Sequence, residues 1–243
     1  MKEFARIFTV LATALVLIAA PARADERETV TVIVEEWVEV PATRFVTPEN
    51  LGADLAPAAI DTFGPFRVID GKHAALVGIT DEASPAAFGA MLEAYPGLQV
   101  LRLVEAPGTY DDRANLALGR MIRAAGLETH VPAGGSVRSG AVELVFAGTA
   151  WRIDEGAEFA VHAWEDDLGL GAADYAADAP EHRKYLAYYA EMGLDPAQAQ
   201  AFYAMTNAAP FEAPRWLDAA EMGGWLGLEG EAENTPQIAY AAL

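Results

Sequence analysis

The sequence predicts an α/β fold built on a largely parallel sheet. Short apolar runs of strand length alternate with helix-length runs between residues 66 and 162, and a purely helical stretch follows only after residue 180. The chain of 243 residues is 53% hydrophobic, without repeats or low-complexity tracts, which suits one sizeable core.

The elements follow in order. "TVTVIVEEWVEV" (29–40) begins with alternation of branched apolar and polar residues and reads as a strand. The Pro- and Gly-punctuated stretch 41–57 reads as a loop. "FRVIDGKHAALVGI" reads as two short strands around the turn signal Asp70-Gly71. "SPAAFGAMLEAY" opens with the Ser-Pro of a helix start and leads into a buried-strand candidate, "QVLRLVE" (99–105). In "DDRANLALGRMIRAAG" (111–126), Leu116, Leu118, Met121, Ile122 and Ala125 fall near one helical face, with acids first and Gly126 last. "LETHVP" reads as a strand, "SGAVELVFAG" as a buried helix, and "AWRI" and "EFAVHAW" as two further strands. "PEHRKYLAYYAEMG", "DPAQAQAFYAMTN" and "PRWLDAAEMGGWLG" read as helices, and residues 229–243 as a loose tail.

Residues 1–24 stand apart. Lys2 and Arg6 precede the apolar run "IFTVLATALVLIAA", and Pro21 with "ARA" (Ala22–Ala24) supplies a breaker and a small-x-small cleavage site before Asp25. The apolar run is shorter than the roughly 20 residues of a spanning helix, so the expectation is a removed signal peptide and a periplasmic or secreted chain without a membrane segment. The formal net charge of −20 repels phosphate backbones and argues against nucleic acid as a partner. With no cysteine there is neither a disulfide framework nor a thiol nucleophile.

The chemistry centres on "GGSVRSGAVELVFAG" (134–148). Ser139 opens a buried helix, where serine is a favoured N-cap. Gly140 beside it leaves space and a backbone N–H, as a nucleophile near an oxyanion hole needs, and His162 follows a strand pair later as a candidate base. The Gly-x-Ser-x-Gly elbow fits neither Ser136 nor Ser139. His73, His130 and His182 read as structural or exposed, and Ser136 as a turn residue. Glu165, Asp166 and Asp167 with His162 are the one candidate for a hard cation, without HExxH or an EF-hand loop, so no metal and no cofactor is expected.

The order of these elements resembles the ClpP/crotonase superfamily, and within it exported ClpP-like serine proteases. "LRLVEAPGT" (101–109) resembles the strand and Pro-Gly-Gly turn of that family, with Thr109 in place of the second glycine. Ser139-Gly140 precedes Ala147-Gly148 at the family's spacing, Arg152 matches a basic residue of the exported branch, and His162 stands where the family histidine does. The resemblance spans about residues 71–228. It implies a spiral of β-β-α units with C-terminal helices, preceded by an extension at 25–70. It also implies Ser139 as nucleophile, His162 as general base, and the N–H groups of Gly108 and Gly140 as the oxyanion hole. The acid position falls at Pro214, which cannot serve. Glu212 is the nearest carboxylate, with Asn207 as another orienting group, and a Ser-His dyad remains open. The expected function is cleavage of peptide bonds in a peptide or protein substrate; a serine esterase and a non-catalytic binding or assembly protein on the same fold are the alternatives. The aromatic stripes "YLAYYAEMG" and "AFYAMT" suit core packing or a subunit interface, and family members assemble through this region, so a homo-oligomer is expected.

Intact mass spectrometry of the protein from its native host should find Asp25 as the first residue; a retained Met1 would reject the cleavage reading.

Overall fold

The computed structural model describes residues 58–166 and 168–228, all within the compact unit Ala42–Leu243. The signal segment, the strand expected at 29–40, the loop at 41–57, Asp167 and the tail at 229–243 lie outside the described residues.

Three short strands open the sheet: β1 (Asp61–Phe63), β2 (Phe66–Val68) and β3 (His73–Val77). They pair antiparallel, so the turn at Asp70-Gly71 closes a hairpin as expected. Asp70 makes that turn by accepting from the N–H groups of Lys72 and His73, at 2.7 and 2.9 Å. The boundary expected at Gly71 therefore falls within a hairpin of one continuous sheet.

From β3 onward the connections turn parallel. Helix α1 (Ser84–Ala94) leads to β4 (Val100–Ala106), and helix α2 (Asp112–Ala124) leads to β5 (Glu128–Val131). Asp111 caps α2 by accepting from the Ala114 N–H at 2.9 Å. Of the face predicted for α2, Leu116, Leu118 and Ile122 are buried, whereas Ala125 is exposed at the C-terminal end. Strand β6 (Ser136–Arg138) follows, then one 3₁₀ turn (Ser139–Ala141), helix α3 (Val142–Phe146), β7 (Ala150–Ile153) and β8 (Glu158–Val161).

The sheet forks at β4. Its first residues pair with β5, which continues to β7, while Glu105 and Ala106 pair with Ser136 and Val137 of β6, which continues to β8. All these pairings are parallel, so the C-terminal ends of β4, β6 and β8 lie side by side. A buried ion pair fastens the fork: Arg138 Nη2 lies 2.5 Å from Glu105 Oε1, and Arg138 Nη1 donates to Ser136 Oγ at 2.6 Å. Ser136 is thus a buried strand residue and not the turn residue expected.

Helices α4 (Pro180–Glu191) and α5 (Pro196–Asn207) pack on each other and on α3 through Tyr189, Phe202 and Phe146. The segment read as a third helix begins instead as β9 (Arg215–Asp218), antiparallel to β8, and only then becomes α6 (Ala219–Trp225). Local composition favours a helix, but the open edge of β8 takes up the extended Arg215–Asp218, and Leu217 packs into the core. The sheet is therefore mixed. Tyr188, Tyr189 and Phe202 are fully buried, Tyr189 and Phe202 against Phe146 and Tyr188 against Tyr189, so most of the aromatic stripe packs within the chain. Among the described residues no helix is long and apolar enough to cross a membrane.

Gly119 of α2 shows how closely α4 is fitted. A Cβ there would overlap the Tyr188 hydroxyl and lie 2.8 Å from two atoms of its ring. Ala normally gains about 1 kcal/mol over Gly within a helix, but overpacking a full core costs about 1–3 kcal/mol. Gly119→Ala should lower the melting temperature, and calorimetry showing a rise would contradict this packing.

Candidate active site

Gly108, Ser139 and His162 come together because each follows the end of one of three adjacent parallel strands. Open α/β sheets bind ligands beyond such carboxyl ends. Gly108 lies in the turn after β4, Ser139 directly after β6, and His162 directly after β8.

Ser139 has φ 50°, and it is the sole non-glycine residue with positive φ among the described residues. A left-handed conformation costs an L-residue about 1–2 kcal/mol, and such strain gathers at functional sites. Here the surroundings enforce it. Gly108, with φ 145°, presses so closely that a Cβ on it would stand 3.2 Å from Ser139 Cβ and 3.6 Å from its Oγ. Gly140 must also lack a side chain, since a Cβ there would meet Thr109 Cγ2 at 2.5 Å. The serine is no simple N-cap: Arg138 takes the cap position of this turn, and no side chain caps it.

A buried pair of polar residues brackets both glycines. The Thr80 N–H donates to the Gly108 carbonyl at 3.1 Å, and Thr80 Oγ1 donates to Asn115 Oδ1 at 2.9 Å. Asn115 Nδ2 then donates to the Gly140 carbonyl at 2.5 Å. The Gly108 N–H takes no backbone partner among the described residues, and Gly140 is among the first residues of a helical turn, where N–H groups are left without an acceptor. Gly108 lies against Ser139, and Gly140 follows it in the chain.

His162 donates from Nδ1 to the Ala163 carbonyl at 2.8 Å, which leaves Nε2 as the acceptor nitrogen. Phe211 packs edge-on against the ring, 4.6 Å between centroids. Ser139 and His162 line one open cleft, together with Gly140, Asp112, Glu143 and rings from α4 and α5. Glu212 is exposed and does not line the cleft, so the structure does not bring it to the histidine. Asn207 does line it, but its amide nitrogen donates to the Tyr203 carbonyl at 2.8 Å. The group holding Nδ1 is a backbone carbonyl.

The other candidates are tied up elsewhere. His130 lies within the sheet and not at its edge, between Asp154 at 2.8 Å and Arg152 at 2.7 Å, and burial pushes its pKa down. Arg152 thus serves this histidine and Glu128, outside the cleft. His73 pairs with Asp70, and His182 with Tyr203. Asp166 accepts from the N–H groups of Leu168 and Leu170 and from the Tyr175 hydroxyl.

Glu143 is the cleft residue that sequence reading passed over. It is the single acid within the apolar run Val142–Phe146, and a carboxyl set among core residues is the signal that could have found it. Burial pushes its pKa up to about 8, the Tyr189 hydroxyl opposing this and the nearby Asp112 charge adding to it. That hydroxyl donates to Oε1 at 2.9 Å, while Oε2 is buried without a partner. The folded chain keeps the Glu143 proton up to about pH 8, whereas an unfolded chain releases it near the ordinary value of 4.5. Stability therefore falls as pH rises through that window. Glu143→Gln should remove this loss, its advantage over the parent growing by a few kcal/mol, on the order of the linkage limit, between about pH 5 and pH 8. Urea unfolding at both pH values checks it; parallel curves would contradict the buried neutral acid.

No protein-family profile matches the chain, and no curated protein matches it in sequence. Solved structures do. Two mutants of the 1510-N membrane-bound stomatin-specific protease, one in complex with a substrate peptide, are each 14% identical with TM-score 0.40. The first match covers 60% of this chain and 70% of that one, the second 61% and 73%. An enoyl-CoA hydratase from Shewanella pealeana is 16% identical with TM-score 0.43, covering 68% of this chain and 66% of that one.

Proposed function

We propose that this chain is an exported serine hydrolase that cleaves peptide bonds through an acyl-enzyme on Ser139. One observation carries the reading: the single strained non-glycine residue among those described is a serine wedged between two glycines, in the same cleft as a histidine with one nitrogen free to accept.

The chemistry follows from that geometry. His162 Nε2 takes the Ser139 hydroxyl proton as Oγ attacks the carbonyl carbon. Negative charge gathers on the carbonyl oxygen, where the Gly108 and Gly140 N–H groups stabilise it. The imidazolium passes its proton to the departing amine, and water repeats the sequence to free the acid. The Ala163 carbonyl fixes the histidine tautomer, as a carboxylate does in a triad, but stabilises the imidazolium less. This favours a slow Ser-His dyad.

A fluorophosphonate probe should label the mature protein at Ser139. Ser139→Gly should abolish labelling while keeping or raising the melting temperature, because glycine relieves the left-handed strain. That pairing separates a nucleophile from a structural cap. His162→Ala should slow labelling by about three orders of magnitude, while Glu212→Gln should leave it near the parent rate. An unlabelled parent protein would favour the non-catalytic binding protein instead.

A further inference from the structure

The cleft beside Ser139 carries three carboxyl groups, Asp112, Glu143 and Glu165, and neither lysine nor arginine lines it. Its walls are the rings of Trp164, Tyr185, Tyr189 and Tyr203. Glu143 is only 9% exposed, and its Oε2 has no partner. A buried carboxyl oxygen left unpaired is costly, and a charge-assisted hydrogen bond is the strongest partner it can take. The same rings already hold a cation: Lys184 Nζ lies 4.8 Å from the Tyr185 ring centroid and 5.6 Å from that of Trp164. Lys184 does so from a neighbouring polar cavity and leaves the cleft itself without a positive group.

The geometry points to a specificity site for a cationic substrate side chain, an ammonium or guanidinium held by the Glu143 carboxyl between tyrosine and tryptophan rings. As a statement about the peptide cleaved, it rests on the hydrolase reading above. An aliphatic side chain would leave Oε2 unpaired, and an anionic one would face Glu143 and Glu165 beside an Asp112 already partnered by Lys184 and Tyr185. The net charge of −20 draws cationic segments toward the chain. The groups facing Glu143 are Asp112 from α2, Tyr185, Tyr188 and Tyr189 from α4, and His162 and Glu165 beyond β8. On binding, the Glu143 carboxyl becomes a carboxylate paired with the cation, and its proton leaves to solvent.

Two peptides test this, acetyl-Ala-Ala-Lys and acetyl-Ala-Ala-norleucine, which differ by the ammonium. As coumarin amides they should differ in kcat/KM by about tenfold or more in favour of lysine, as a desolvated cation–π and charged hydrogen bond together imply. Glu143→Gln should bring that ratio near one. As plain amides, titrated calorimetrically into Ser139→Gly, the lysine peptide should bind about tenfold tighter and release a proton, by the same two interactions. Equal affinity, or no binding of the lysine peptide at millimolar concentration, overturns the site. If the lysine peptide binds tighter but nothing is cleaved and no probe attaches, the hydrolase reading falls and the cation site stands. If the probe attaches and both peptides are bound and cleaved alike, the cation site falls and the hydrolase reading stands.

Discussion

The parallel register of β4, β6 and β8 sets Ala106 beside Val137 and Arg138 beside Ala160, so the chain leaves all three strands at one edge. A slip of one residue would turn every side chain of the slipped strand to the other face. The Arg138–Glu105 pair resists such a slip, because a buried charge that loses its partner is strongly destabilising. Gly108, Ser139 and His162 inherit their positions from that register.

The helices past residue 180 complete the cleft and set its electrostatics. Tyr188 and Tyr189 reach across from α4 to the Glu143 carbonyl and carboxyl, at 2.7 and 2.9 Å. Burial pushes both tyrosine pKa values up, so these hydroxyls remain donors. The Tyr185 hydroxyl donates to Asp112, and Lys184 stands 3.8 Å from the same carboxylate. One helix therefore packs the core, holds the acid beside the serine and walls the site.

Much of this was legible in the sequence. The hairpin at Asp70-Gly71, helix 84–94 and the strands at 100–106, 150–153 and 158–161 lie where periodicity and turn residues put them. Small residues beside a serine and a histidine at a strand end are local patterns that singled out Ser139, Gly140 and His162, and the structure sets these three around one cleft. Strand β9 was not, since Arg215–Asp218 becomes extended only against the distant edge of β8. Nor was the Ala163 carbonyl as the partner of His162, because a backbone group leaves no mark on composition. The Thr80–Asn115 bracket joins residues 35 apart, and only the fold reveals that they meet.

The handedness of the backbone at Ser139 also limits which residue this seat can carry. At φ 50° a β-branched side chain is a steric outlier, so threonine is shut out although it carries the same hydroxyl. Cysteine, unbranched at Cβ and close to serine in size, is the substitute the seat can accept. The local chirality of one residue thus separates primary from secondary alcohols before any substrate arrives.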